Sequence, residues 1–156
     1  EGCGDASLMP YLTRASIACG GHAGDIGSMA VALRLAAEHG VAAGAHPSYP
    51  DRSHFGRRAL AASETEIAAW VMQQTETLAE QAARLGLRLA HVKPHGALYN
   101  VAAREAGVAR AIARAVVAVD PALPDGCVRI ARGIAATVSL GEGPLGLEKV
   151  ATEAAA

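Results

Sequence analysis

His22, His46, Lys93 and His95 are the residues from which chemistry in this chain would start. An imidazole ligates a metal, moves a proton near neutral pH or donates a hydrogen bond. An ammonium holds a carboxylate or a polarised carbonyl. Lys93 is singular by type, because 12 of the 14 basic residues are Arg and the only other lysine is Lys149. Pro94 follows it directly and stiffens the backbone that carries it. Three histidines can make a zinc-type site, but these spacings match neither a zinc finger nor an H-E-x-x-H helix. A metal therefore does not follow from spacing. If one is bound, His22, His46 and His95 are its ligands. There is no G-x-x-x-x-G-K-[ST] loop, no G-x-G-x-x-G after a predicted strand and no G-x-S-x-G elbow.

Elements must bring these residues together. The segments ASIAC (15–19), VAAGA (41–45) and LRLAHV (87–92) read as short buried strands. A helix is predicted over about 27–39, capped by Asp25 or Ser28 and ended by Gly40. A second starts at the capping box Ser63-x-x-Glu66 and runs to about Leu85, where Gly86 stops it. Its apolar stripe is Ile67, Trp70, Val71, Leu78 and Leu85, with Ala82 between. The loop KPHGALYN then leads to a third helix over about 102–119, striped by Val108, Ile112, Val116 and Val119. Strand–helix order repeated three times predicts an α/β fold with parallel strands joined by crossovers. Such sheets place their sites at the carboxyl ends of the strands. His22 follows the first strand, His46 the second, and Lys93 and His95 the third. Three imidazoles and one ammonium should therefore converge on one rim.

Neighbouring residues extend this site. Gly20 and Gly21, with Gly24, allow close backbone approach at a helix N-terminus, where an anion is welcome. Asp25 either orients an imidazole or caps the helix. His54, Arg57 and Arg58 lie in a long loop that is a lid or a solvated surface, and Arg52 reads as surface. Tyr49 and Tyr99 are placed to line a small pocket. His91 reads as a bonded core histidine, and Cys19 as a small buried residue. His39 needs no role beyond complementing a helix C-terminus.

Composition sets the limits. The chain has 156 residues, 51% hydrophobic and 19% charged, which suits one folded domain and excludes intrinsic disorder. With 37 Ala and 3% aromatics, helices should pack closely on something flat. A net charge of -1 and a pI of about 6.7 argue against nucleic-acid or polybasic membrane surfaces. Cys3, Cys19 and Cys127 form no disulfide framework, which fits a reducing compartment. No apolar run is long enough to span a membrane and no signal peptide is visible, so the expected location is cytoplasmic. Residues 1–124 carry the pattern. Residues 125–156 read as a divergent tail with a weak strand around 127–131, as a shifted reading frame or truncated gene would leave.

The segments EGCGD (1–5), IACGGHAGD (17–25), GAHPSYPDRSHFGRR (44–58) and HVKPHGALYN (91–100) resemble signatures of the LamB/YcsF family. The resemblance implies an irregular seven-stranded β/α barrel of the TIM-like, glycoside hydrolase/deacetylase type, here partial. The family's opening strand would precede Glu1, and the tail lacks its later motif. It implies the A subunit of an ATP-dependent 5-oxoprolinase, which cleaves 5-oxo-L-proline to L-glutamate with subunits B and C. ATP is then a co-substrate with Mg, bound here or by a partner. The match carries over His22, His46, Lys93 and His95 as catalytic residues, with Asp25 and Glu1. Gly21, Tyr99 and Arg57 are the further candidates for substrate binding. Two other readings compete: a metal-dependent deacetylase or amidohydrolase on the same rim, and a non-catalytic binding subunit or inactive remnant.

Overall fold

The structure is a computed structural model that describes residues 5–123. Glu1, the weak strand expected at 127–131 and the tail expected over 125–156 lie outside the described residues. The chain starts with a helical turn, α1 (Asp5–Leu8), and a 3-10 turn (Met9–Tyr11). There follow β1 (Arg14–Ala18), α2 (Ile26–Glu38), β2 (Ala42–His46), α3 (Glu64–Arg84), β3 (His91–Val92), α4 (Gly96–Ala102) and α5 (Ala106–Val119).

Both crossover helices begin and end as their local chemistry requires. At α2 the Asp25 carboxylate accepts from Ser28 N–H at 2.8 Å, and Ser28 Oγ accepts from Asp25 N–H at 2.8 Å. At α3 Ser63 and Glu66 make the same reciprocal pair, at 3.2 and 2.8 Å. Gly40 and Gly86 stand just past these helices at φ +64 and +70. There the next residues, Val41 and Leu87, donate back to Ala36 and Ala82 carbonyls at 2.8 and 2.9 Å. That closure satisfies carbonyls a helix end leaves open, and it needs a residue without a Cβ penalty.

The strands pair in parallel in the order β1-β2-β3, with Ala18 opposite His46, Gly44 opposite His91 and Ala45 opposite Val92. The helices bury the face bearing Ile17, Ala43, Ala45 and Val92. Leu33, Ala36, Val71, Leu78 and Ala82 are fully enclosed against it. Each large aliphatic so buried contributes about 1.5–3 kcal/mol.

Three expectations change. The third strand spans two residues instead of 87–92, because Leu87 N–H is spent on closing α3. The helix expected over about 102–119 is α5, which starts at Ala106, and the expected loop KPHGALYN holds most of a further helix, α4. The later start follows from packing: α5 starts against α3, where a Cβ on Gly107 would overlap the Glu64 carboxylate. In the α3 stripe, Trp70 is half-buried and Leu85 is 40% exposed, while Gln74, Thr75 and Gln81 are buried in their place. The described residues form an α/β fold with three parallel strands. They hold three βα units and do not reach the seven strands of a closed barrel.

Candidate active site

Alternation along the strands decides which side chains leave the helix face. Ser16, Gly44 and His91 share the opposite face of the sheet. His91 Nε2 lies 3.0 Å from Ser16 Oγ, and a Cβ on Gly44 would overlap the His91 ring. His91 is buried and bonded, as expected of it. His46, the last residue of β2, stands one level higher on that face, with Lys93 just past the end of β3. Lys93 N–H donates to the Ala45 carbonyl at 2.8 Å, which continues the ladder and sets the height of the rim.

His22, His46 and His95 meet on this rim. Nδ1 of His46 bonds the Lys93 carbonyl, and Nε2 of His95 bonds the Phe55 carbonyl at 2.9 Å. A carbonyl oxygen only accepts, so each of those nitrogens carries its hydrogen. The other nitrogens, His46 Nε2 and His95 Nδ1, face each other at 3.1 Å. His22 is 2% exposed, and its ring stacks parallel on His95 with centroids 3.8 Å apart. A cavity of about 390 Å³ opens at this point, lined by His46, Lys93, His95, Tyr99 and Asn100. Convergence of the four residues, expected from the strand–helix register alone, is what the structure shows.

The loop after β2 is tied down, which removes the expectation of a free lid. The Asp51 carboxylate accepts from His54 N–H and Nδ1–H and from Ser53 Oγ, contacts that hold it below the usual carboxylate range. Phe55 and Gly56 both take the left-handed conformation, at φ +55 and +63. That turns the Phe55 carbonyl to His95, while the Gly56 carbonyl accepts from Ala97 N–H at 3.0 Å. A Cβ on Gly56 would lie 2.8 Å from His22 Cβ and 3.1 Å from His95 Cδ2. Glycine is required there by crowding as well as by φ. Arg52 is a tie rather than plain surface, since its guanidinium bonds the Gly20 and Gly24 carbonyls at 2.9 and 2.8 Å.

The remaining candidates divide. Asp25 is exposed and its carboxylate is engaged by the α2 cap, chiefly through Ser28, which lowers its pKa. That engagement favours the capping reading. Gly21 is buried beneath the rim, where a Cβ would overlap the Gln74 amide and lie 2.6 Å from Ser48 Oγ. Arg57 places its guanidinium 5.4 Å from the Phe55 ring centroid, beside the imidazoles that ring touches edge-on. Tyr99 lines the cavity from α4. Tyr49 does not line it. It is 1% exposed, packed edge-on to Trp70, and burial raises its pKa, with Glu105 adding to the effect. Burial pushes the Cys19 thiol up to about 12, so it is an inert core group as expected.

Two contributors, Gln74 and Phe55, were missed by sequence reasoning. Gln74 of α3 donates to the Ser48 carbonyl at 2.8 Å and accepts from Ser48 N–H at 3.0 Å. This clamp fixes the backbone two residues beyond His46. Phe55 supplies both a ring and a carbonyl to the imidazoles. A polar residue at a core position of an otherwise apolar stripe was the available hint for Gln74.

The model of the LamB/YcsF family matches residues 1–143. Among curated proteins, the 5-oxoprolinase A subunit of Chloroflexus aggregans is 57% identical over 114 residues, 73% of this chain and 45% of that protein. The A subunit of Syntrophobacter fumaroxidans is 50% identical over 119 residues, 76% of this chain and 47% of that protein. The chain thus spans about half the length of the curated relatives it matches. Among solved structures, the lactam utilization protein from Thermus thermophilus superposes with a TM-score of 0.76 at 42% identity, covering 97% of this chain and 56% of that one.

Proposed function

Because the chain belongs to the LamB/YcsF family, we propose that it carries the catalytic rim of a 5-oxoprolinase A subunit, in an enzyme that opens 5-oxo-L-proline to L-glutamate at the expense of ATP. One observation carries this reading: at the carboxyl ends of three parallel strands His46, Lys93 and His95 line a cavity, with His22 stacked on His95. The similarity to proteins named for 5-oxoproline and for lactam use supports the substrate class.

The chemistry suits the rim. A five-membered lactam is a stable amide with a poorly electrophilic carbonyl. Transfer of a phosphoryl group from ATP to the lactam oxygen would activate that carbon. Water then adds to it and the ring C–N bond breaks, releasing the amine and leaving an acyl phosphate, which a second water splits to the carboxylate and phosphate. Lys93 is placed to hold the substrate carboxylate or to offset charge developing on oxygen. His46 and His95, backed by His22, act on the lactam by acid–base or metal chemistry. Tyr99 and Arg57 bound the substrate space, and Gly21 and Asp25 shape the turn beneath it. Glu1, outside the described residues, is a further candidate for substrate binding by its match to the family motif.

The reading extends to the assembly. ATP, with Mg, is bound in a complex with subunits B and C, in the cytoplasm. The complete unit is an irregular seven-stranded barrel to which β1–β3 contribute. Among the described residues no helix is long and apolar enough to cross a membrane.

The test is glutamate and ADP formation from 5-oxoproline and ATP by the chain together with subunits B and C. Equal amounts of both products, with neither formed when the chain is omitted, are expected. Glutamate formed at the same rate without ATP would favour the amidohydrolase reading, and no glutamate at all would favour a binding subunit.

A further inference from the structure

We propose that His46 and His95 chelate a divalent metal of the zinc class, through His46 Nε2 and His95 Nδ1. The inference starts from the tautomers. His46 Nδ1–H is held by the Lys93 carbonyl and His95 Nε2–H by the Phe55 carbonyl at 2.9 Å. Ligating histidines almost always show such a contact on the ring nitrogen away from the metal, because it fixes both tautomer and ring direction. The two remaining nitrogens, His46 Nε2 and His95 Nδ1, are in contact at 3.1 Å, a separation at which both can ligate one ion. Two Zn–N bonds of about 2.0–2.1 Å at a tetrahedral angle span roughly 3.3 Å, close to the separation found. The two ring planes cross at 81°, so a single point can lie in both planes, as ligation through in-plane lone pairs requires.

His22 has a different part. The ligand nitrogens of the three imidazoles lie within 4.8 Å of one another. Yet the His22 ring is parallel to that of His95, at an interplanar angle of 6° and a centroid distance of 3.8 Å. A metal in the plane of His95 therefore lies off the plane of His22. His22 supports the His95 ring, and among the described residues two side chains, His46 and His95, supply ligands. The remaining coordination positions face the cavity that His46 and His95 line with Lys93, Tyr99 and Asn100. Imidazole ligands select zinc, cobalt, nickel or copper rather than magnesium or calcium. An open position on such an ion polarises a carbonyl or a water. The inference does not depend on 5-oxoproline being the substrate.

Titration of the chelator-treated chain with Zn2+ and with Co2+ tests it, by calorimetry and by the visible absorption of bound Co2+. We expect one ion per chain. His46→Gln and His95→Gln should each weaken binding by about tenfold or more, while His39→Ala, at the exposed end of α2, should leave it unchanged. Should either Gln variant fail to fold, nitrogen NMR of the wild-type histidines gives the same answer, with His46 Nε2 and His95 Nδ1 shifting on addition of Zn2+. No saturable one-to-one binding up to millimolar metal, binding unaltered in both variants, or shifts confined to other histidines would overturn the proposal. Turnover is not read, so these outcomes leave the lactam reading to its own test.

Discussion

Alternate residues of the same three strands meet opposite fates. Ile17, Ala43, Ala45 and Val92 turn to the helices and are buried among small aliphatic side chains. Ser16, Gly44, His46, His91 and Lys93 lie on the other face with Ala18, and there most side chains are polar, missing or charged. The backbone ladder is shared, so the difference lies in side-chain period alone. Stability and chemistry are thereby assigned to alternate positions, and changes on the two faces should be separable by measurement. Gln74 is the exception, because it leaves the helix face to clamp the rim.

The helix face should show the largest effect on stability. Leu78→Ala leaves a cavity at a fully enclosed position and is expected to cost about 2–5 kcal/mol in denaturant unfolding. Activity per folded molecule should stay near wild type, and a large loss would show that the faces are not separable. Gln74→Leu strips Ser48 N–H and its carbonyl of their partner, at a cost of about 1–3 kcal/mol. Because Ser48 stands two residues beyond His46, this variant alone among helix-side changes should also lower kcat/KM.

The smallest effect lies far from the rim. Ser63→Ala removes the α3 cap and is expected to cost about 1 kcal/mol. Glu66 is exposed, and Ser63 N–H and then the Ser63 hydroxyl lower its pKa. A lowered carboxylate contributes stability above its unfolded-state pKa and loses it as pH falls through its folded value. The gap between wild type and Ser63→Ala should therefore be widest near neutrality and narrow on acidification, as unfolding midpoints measured across that range would show. Activity should not change.

Much of this division was legible in the sequence because it is local. The capping residues Asp25, Ser63 and Glu66 and the stops Gly40 and Gly86 act within a few residues of themselves. The convergence of His22, His46, Lys93 and His95 follows from their places after three strands. What escaped depends on partners distant in sequence. Gln74 meets Ser48 across 26 residues, and Phe55 meets His95 across 40. Arg52 reaches back 32 residues to the Gly20 carbonyl. No periodicity marks such pairs. The later start of α5 was missed for the same reason, since Gly107 answers to Glu64 on another helix. Tyr49 was misplaced because a tyrosine in a rim loop reads as lining a pocket, whereas its ring is buried against Trp70 of α3.

The separation of the two faces is tested most directly by glutamate release from 5-oxoproline in the presence of ATP and subunits B and C. Lys93→Ala and His95→Gln should be compared there with Leu78→Ala at equal folded concentration. We expect kcat/KM to fall by about 10²–10⁴-fold in the two rim variants and to hold in Leu78→Ala. Wild-type rates in Lys93→Ala and His95→Gln would contradict the assignment of chemistry to this rim.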